Sequence, residues 1–192
     1  LFYPPDPASI HISTLGGNVA ECAGGLRAVK YGVTRDYVLG LTAVLPTGEI
    51  IRTGVETIKG VVGYDLTRLL VGSEGTLAVV TEIIVRLVPR PAYRRTMMAF
   101  FESAAAAVET VSAIIRSKIV PTALEFMDRT CIGCVDKDVG LAAPKGTGAL
   151  LLIEVDGDKT LAIKEAKRVG EICTRQGALE FRSASRLKDA EK

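Results

Sequence analysis

The chain has a single histidine, His11, no tryptophan, and aromatic residues at only 5% of 192 positions. That removes most histidine-based acid–base chemistry, because no nucleophile or orienting partner can be named for His11. Lying in "SIHIS", a β-like stretch, it reads as a strand or loop residue. Cysteine is sparse: Cys22, Cys131, Cys134 and Cys173. Cys131 and Cys134 form a C-x2-C, which is half of a zinc or redox motif, but no second pair stands at ligand spacing. The cysteines are also too widely spread for an iron–sulfur cluster. They read as reduced structural thiols, and neither a metal site nor a catalytic residue can be named. An excess of one charge is missing too. Lys plus Arg number 24 against 22 Asp plus Glu, and the basic residues are scattered, so nucleic acid is not an expected partner. No apolar run approaches the roughly 18 residues needed to span a bilayer. The opening "LFYPPDPAS" lacks the charged and apolar regions of a secretory signal. The expectation is a cytoplasmic protein without a membrane-spanning segment.

What is present is ordinary globular material, with 48% hydrophobic and 24% charged residues in a length that suits one or two domains. The chain opens at Leu1, not at methionine, directly into a Pro-rich extended segment, and so reads as a piece of a longer protein. From Tyr37, "YVLGLTAVLPTGEIIRT" gives two β-prone runs joined at Pro46-Thr47-Gly48, a hairpin. "YDLTRLLVG" predicts a short helix with Asp65 as N-cap and Gly72 as its stop. "GSEGT", residues 72–76, is then a glycine loop leading into a long strand, "LAVVTEIIVRLVP".

"RPAYRR", residues 90–95, reads as a boundary, since Pro89 and Pro91 restrict the backbone and the charges are solvated. Beyond it come a strand ("RTMMAFF"), a helix capped by Ser103, and strands at "TALEFMD" and "GALLLIEVDG". A helix over 159–176 stopped by Gly177 and a last strand, "LEFRSA", complete the run. The β-α-β-β-α-β order is that of a ferredoxin-like split βαβ, with the helices expected on one face of an antiparallel sheet. The fold class is α+β, with domains over 1–91 and 92–192.

The most unusual stretch is residues 13–32, "STLGGNVAECAGGLRAVKYG", where five glycines include two Gly-Gly pairs eight positions apart. Such pairs can mark two tight turns whose backbone needs positive φ. They can also bare N–H groups that converge on a phosphate or another anion. Glycine spacing leaves both open.

Taken together, "PPDPASIHISTLGGN", "AGGLRAVKYG" and "GYDLTRLLVGSEGTLAVVTE" resemble the FAD-linked oxidases of the vanillyl-alcohol oxidase type, with their PCMH-type FAD-binding domain. Within that family the similarity is to the branch of bacterial glycolate oxidase D subunits and D-lactate dehydrogenases. The resemblance runs over nearly the whole chain, and its two glycine blocks occur in order. It implies FAD as cofactor, held between two subdomains of which 1–91 is the second, and a ferredoxin-like cap domain over 92–192. It implies that Ser13, Thr14, Gly16, Gly17 and Asn18 approach the flavin and its pyrophosphate, that Ala23, Gly24 and Gly25 continue the wall, and that Glu74, Gly75, Thr76, Val79 and Val80 lie along the cofactor. Asp6 matches an acidic position of the "PDP" segment. The Glu74 backbone is expected to matter more than its carboxylate, and Cys22 stands where the family often has Asn or Ser.

The implied reaction is oxidation of a D-2-hydroxy acid such as glycolate or D-lactate by hydride transfer to the flavin. An iron–sulfur electron-transfer subunit is an implied partner, and an oligomer is compatible. The first pyrophosphate loop is implied upstream of Leu1. A substrate-binding arginine and a His-rich metal segment are implied beyond Lys192. The competing readings are a non-catalytic nucleotide-binding or assembly module, and a relative acting on another alcohol.

Overall fold

The computed structural model describes residues 1–57 and 59–184. The chain divides between Arg90 and Pro91 into two compact units.

In the first unit a hairpin forms where expected. Strand β1 (Val38–Val44) pairs antiparallel with β2 (Ile50–Gly54), with Leu41 opposite Thr53. The turn closes through Leu45 N–H to the Glu49 carbonyl at 2.9 Å and Gly48 N–H to the Leu45 carbonyl at 2.9 Å. Gly48 sits at φ +87°, a conformation that a Cβ disfavours. Strand β3 (Val79–Val85) pairs antiparallel with the other edge of β1, giving the order β2-β1-β3. Three short helices accompany this sheet: α1 (Leu15–Glu21), α2 (Ala28–Tyr31) and α3 (Leu66–Leu70), with a 3-10 turn at Thr34–Asp36. Asp65 caps α3 by accepting from Arg68 N–H, as its position predicts. The core joins Val19 of α1 and Leu70 of α3 to Val38, Leu41 and Ala43 of β1, with Val71 and Ala78. The Pro-rich start is held by Phe2, which exchanges both backbone bonds with Val88 at 2.8 and 3.0 Å.

The second unit begins with β4 (Tyr93–Phe101), α4 (Ala104–Arg116) and β5 (Ala123–Asp128). It continues with α5 (Arg129–Val139), β6 (Ala149–Gly157), α6 (Lys159–Arg175) and β7 (Glu180–Ser183). All pairings are antiparallel, in the order β5-β6-β4-β7, which is the ferredoxin-like arrangement. Period-2 alternation separates the faces. Met97, Ala99 and Phe101 of β4 and Ala149, Leu151, Ile153 and Val155 of β6 pack with Ala107, Ile114, Ala166, Val169 and Ile172 of α4 and α6. Phe100 and Leu150 point the other way and pack with Ile132 of α5.

The expectation of helices on one face of the sheet is corrected here. Helix α5 is absent from the sequence reading because "RTCIGCVDKDV" is polar and carries Gly133, a poor helix former. It forms because Asp128 caps it, accepting Cys131 N–H at 2.8 Å, and because Ile132 is buried on the sheet. Helices therefore lie on both faces of the sheet. Arg182 closes the α5 side, its guanidinium 4.6 Å above the Phe100 ring and donating to the Leu141 carbonyl at 2.5 Å. Of the two readings of "SIHIS", strand or loop, the structure has the loop. Ile10, Ile12 and Ser13 donate back to Pro7, Ser9 and Ser9 in successive turns, and exposed Ile10 and Ile12 pair with no strand among the described residues. His11 lies exposed in this turn.

Candidate functional site

The first Gly-Gly pair is not a tight turn. Thr14 is the N-cap of α1, its Oγ1 accepting Gly17 N–H at 3.0 Å while Asn18 N–H returns to the Thr14 carbonyl at 2.9 Å. Gly16 and Gly17 therefore occupy the first helical turn, and neither has positive φ. A Cβ on Gly16 would meet nothing within 4 Å, and one on Gly17 would touch only Thr14 Oγ1 at 3.2 Å. The backbone conformation requires glycine at neither position, and the packing of this unit leaves Gly16 open, whereas at Gly17 it holds the capping Thr14 Oγ1 tightly against the place of a Cβ; glycine weakens a helix by about 0.5–1 kcal/mol relative to alanine. The open side of Gly16 leaves room for an outside group to come close.

The second pair has a different cause. A Cβ on Gly25 would fall on the Asp6 backbone carbonyl, and one on Gly24 would stand 3.3 Å from Val33. Asp6 is occupied within the fold: it accepts Arg27 N–H at 3.2 Å and pairs with Arg27 Nε at 3.3 Å. Gly25 and Asp6 are thus accounted for by the packing of Asp6 against residues 25–27, and Gly24 by its approach to Val33. Ala23 closes α1, donating to the Asn18 carbonyl at 2.8 Å.

Glycine loop 72–76 is brought onto the C-terminal end of α1. Gly72 N–H donates to the Val19 carbonyl at 2.9 Å and Glu74 N–H to the Ala20 carbonyl at 3.0 Å. Gly72 and Gly75 lie at φ +82° and +72°. Glu74 adopts φ +53° without being glycine, and its side chain is exposed. Left-handed backbone costs a non-glycine residue on the order of 1–2 kcal/mol. Such strain persists where the surroundings fix it and often marks function. Thr76 is exposed and bonds locally, Oγ1 donating to the Ser73 carbonyl at 2.6 Å. Val79 opens β3 exposed, with Val80 half-buried opposite Ala43.

Two further features lie with these segments. Ser13 Oγ is buried and has no partner among the described residues. Ile12, Leu15, Leu77 and Val79 expose apolar surface, Ile12 at 88%. Open glycine backbone, an unsatisfied hydroxyl, and apolar side chains on the flanking segments suit a ligand that joins a polar, oxygen-rich part to flat rings, as FAD does.

The Thr34–Asp36 turn was not singled out in the sequence. Thr34 is fully buried and grips the Ala23 carbonyl twice, while Arg35 Nη2 donates to the Val71 carbonyl at 2.8 Å. A three-residue turn with no apolar period gives little to read, though Thr and Asp in "TRD" are turn formers. Cys22 caps α1 at φ +51°, which explains why Asn would suit this position: it tolerates left-handed backbone better than cysteine.

Residues 90–192 match the C-terminal domain of FAD linked oxidases, and residues 1–54 match an FAD binding domain. The chain belongs to the FAD-linked oxidases. FAD is the cofactor of this family. Among its relatives, glycolate oxidase subunit GlcD of Bacillus subtilis (strain 168) is 49% identical over 99% of this chain and 40% of its own length. A D-lactate dehydrogenase of Anaerostipes hadrus is 40% identical over 94% of this chain and 39% of its own. Among solved structures, alkyldihydroxyacetonephosphate synthase superposes on 98% of this FAD-linked oxidase chain and 37% of its own with TM-score 0.77 at 26% identity. The chain therefore spans about two fifths of the length of the curated relatives it matches. No helix of the described residues is long and apolar enough to cross a membrane.

Proposed function

We propose that the chain belongs to an FAD-dependent oxidoreductase that oxidises a D-2-hydroxy acid, with glycolate and D-lactate as the candidate substrates. Relatives named as a glycolate oxidase subunit and a D-lactate dehydrogenase support this substrate class. In this reading residues 1–91 form the second subdomain of the FAD-binding domain, and 92–192 belong to a ferredoxin-like cap. The observation that carries it is the open side of Gly16 beside a strained glycine loop pinned to the same helix. When bound, FAD supplies the acceptor for the hydride of the substrate carbon.

What this chain contributes is the binding surface. Thr14 shapes the first turn of α1 so that Gly16 and Gly17 present bare backbone, and Ser13 and Asn18 offer polar side chains beside it. The Glu74, Gly75 and Thr76 backbone supplies the second strip, with Val79 and Val80 continuing it in apolar form. Ala23, Gly24, Gly25 and Asp6 hold the segment behind the wall. The enzyme works in the cytoplasm and passes its electrons to an iron–sulfur partner; a relative named as a subunit supports assembly with another chain.

The test is an anaerobic visible spectrum of the purified full-length protein. A bound flavin whose absorption bleaches on adding glycolate or D-lactate is expected. A colourless protein that takes up no FAD would favour the assembly-module reading, and a flavin unaffected by either acid would favour a different alcohol as substrate.

A further inference from the structure

The Thr34–Asp36 turn touches both glycine segments. Thr34 donates to the Ala23 carbonyl through N–H at 3.0 Å and through Oγ1 at 2.7 Å. Arg35 Nη2 reaches the carbonyl of Val71, the buried residue that ends α3, at 2.8 Å. The same Nη2 would lie 2.8 Å from a Cβ on Gly72, so Gly72 is fixed both by its φ and by the guanidinium against it. Asp36 accepts Val33 N–H at 2.9 Å and Arg68 Nη2 of α3 at 2.7 Å. Three consecutive residues thus grip the end of α1, the start of loop 72–76 and the helix leading into it.

We propose that this turn is a positioning clamp for the flavin wall, and that Arg35 is the positioning residue that sets where the loop Gly72–Thr76 stands. The proposal rests on the flavin reading above. A buried carbonyl needs a donor. A guanidinium makes a charge-assisted bond to it, stronger than a neutral one, and its planar fork loses less freedom on bonding than a lysine stem. With Gly72 N–H on Val19 and Glu74 N–H on Ala20, the loop is tied to α1, and Arg35 holds the carbonyl of Val71 immediately before it. Arg35 need not touch the cofactor to govern its affinity, because a shift in the loop displaces the backbone proposed to lie along it.

The test uses the full-length protein with Arg35→Met, Arg35→Lys and, as control, Arg175→Met on α6. FAD affinity is read by flavin fluorescence at a temperature where circular dichroism shows each apoprotein fully folded. A residue that only stabilises the fold leaves the dissociation constant of the folded protein unchanged. The clamp predicts roughly tenfold weaker binding or more for Arg35→Met, the scale of one lost charge-assisted bond, a smaller loss for Arg35→Lys, and none for Arg175→Met. Wild-type affinity in Arg35→Met overturns the clamp. If Arg35→Met does not fold, Arg35→Lys decides: it must bind FAD at least about threefold more weakly, and wild-type affinity overturns the clamp. A wild-type protein that binds no FAD overturns the flavin reading and the clamp with it.

Discussion

The amide of Glu74 donates to the carbonyl of Ala20 at 3.0 Å. This one bond joins two segments far apart in sequence and does so through backbone alone. Glu74 also holds φ +53°. We therefore expect Glu74→Gln and Glu74→Gly to retain FAD, the glycine variant with an unchanged or higher unfolding midpoint because it relieves the strain. Glu74→Pro removes the N–H donor and cannot reach positive φ, so it should lose flavin. Flavin content per polypeptide checks all three.

Gly16 allows stability and binding to be separated. Its helical φ and open surroundings admit a methyl group without strain. Gly16→Ala should stabilise the apoprotein by about 0.5–1 kcal/mol while weakening FAD binding. Chemical denaturation of the apoprotein and flavin titration of the folded protein measure the two effects.

The thiols should divide by burial. Cys173 is completely buried, and desolvation pushes its pKa up to about 12. Cys131 and Cys134 are exposed on α5, although the Asp128 carboxylate raises the Cys131 pKa. Since the thiolate is the reactive form, iodoacetamide on the native protein near pH 8.5 should label Cys134 and Cys131, the second more slowly. Cys173 should react only after denaturation. Peptide mass spectrometry gives the order.

Alkaline pH should loosen the first unit. Burial raises the pKa of both Tyr3 and Tyr37, Tyr37 despite Arg86 lying 4.9 Å from its ring centre. A phenol whose folded pKa exceeds its unfolded value adds stability below the unfolded value of about 10 and loses it as pH rises through the folded one. The contribution of the two tyrosines to the unfolding midpoint should therefore be flat below about pH 10 and fall above it. Phe substitution of both tyrosines should flatten the fall.

Elements with strong local signals were legible in the sequence. Asp65, Ser103 and Gly177 stand at helix ends as their types predict, and the strands of the second unit alternate as they face two cores. Helix α5 was hidden because one buried residue, Ile132, and one cap, Asp128, do what periodicity normally announces. The glycine blocks could be found but not sorted. Only the space around each glycine separates Gly16, open to the outside, from Gly25, packed on Asp6. The Thr34–Asp36 turn was invisible because its meaning lies in carbonyls 11 and 36 residues away.

The central claim is that the glycines of α1 face FAD, and a matched pair of substitutions tests it most directly. Gly16 and Gly133 both lie in exposed helical backbone where a Cβ would meet nothing within 4 Å. Valine at either place makes the same local change. The measurement is the flavin-to-protein ratio of the purified full-length variants by absorbance. The account predicts full flavin in Gly133→Val and a steep loss in Gly16→Val with far-UV circular dichroism unchanged. Full flavin in Gly16→Val would contradict it.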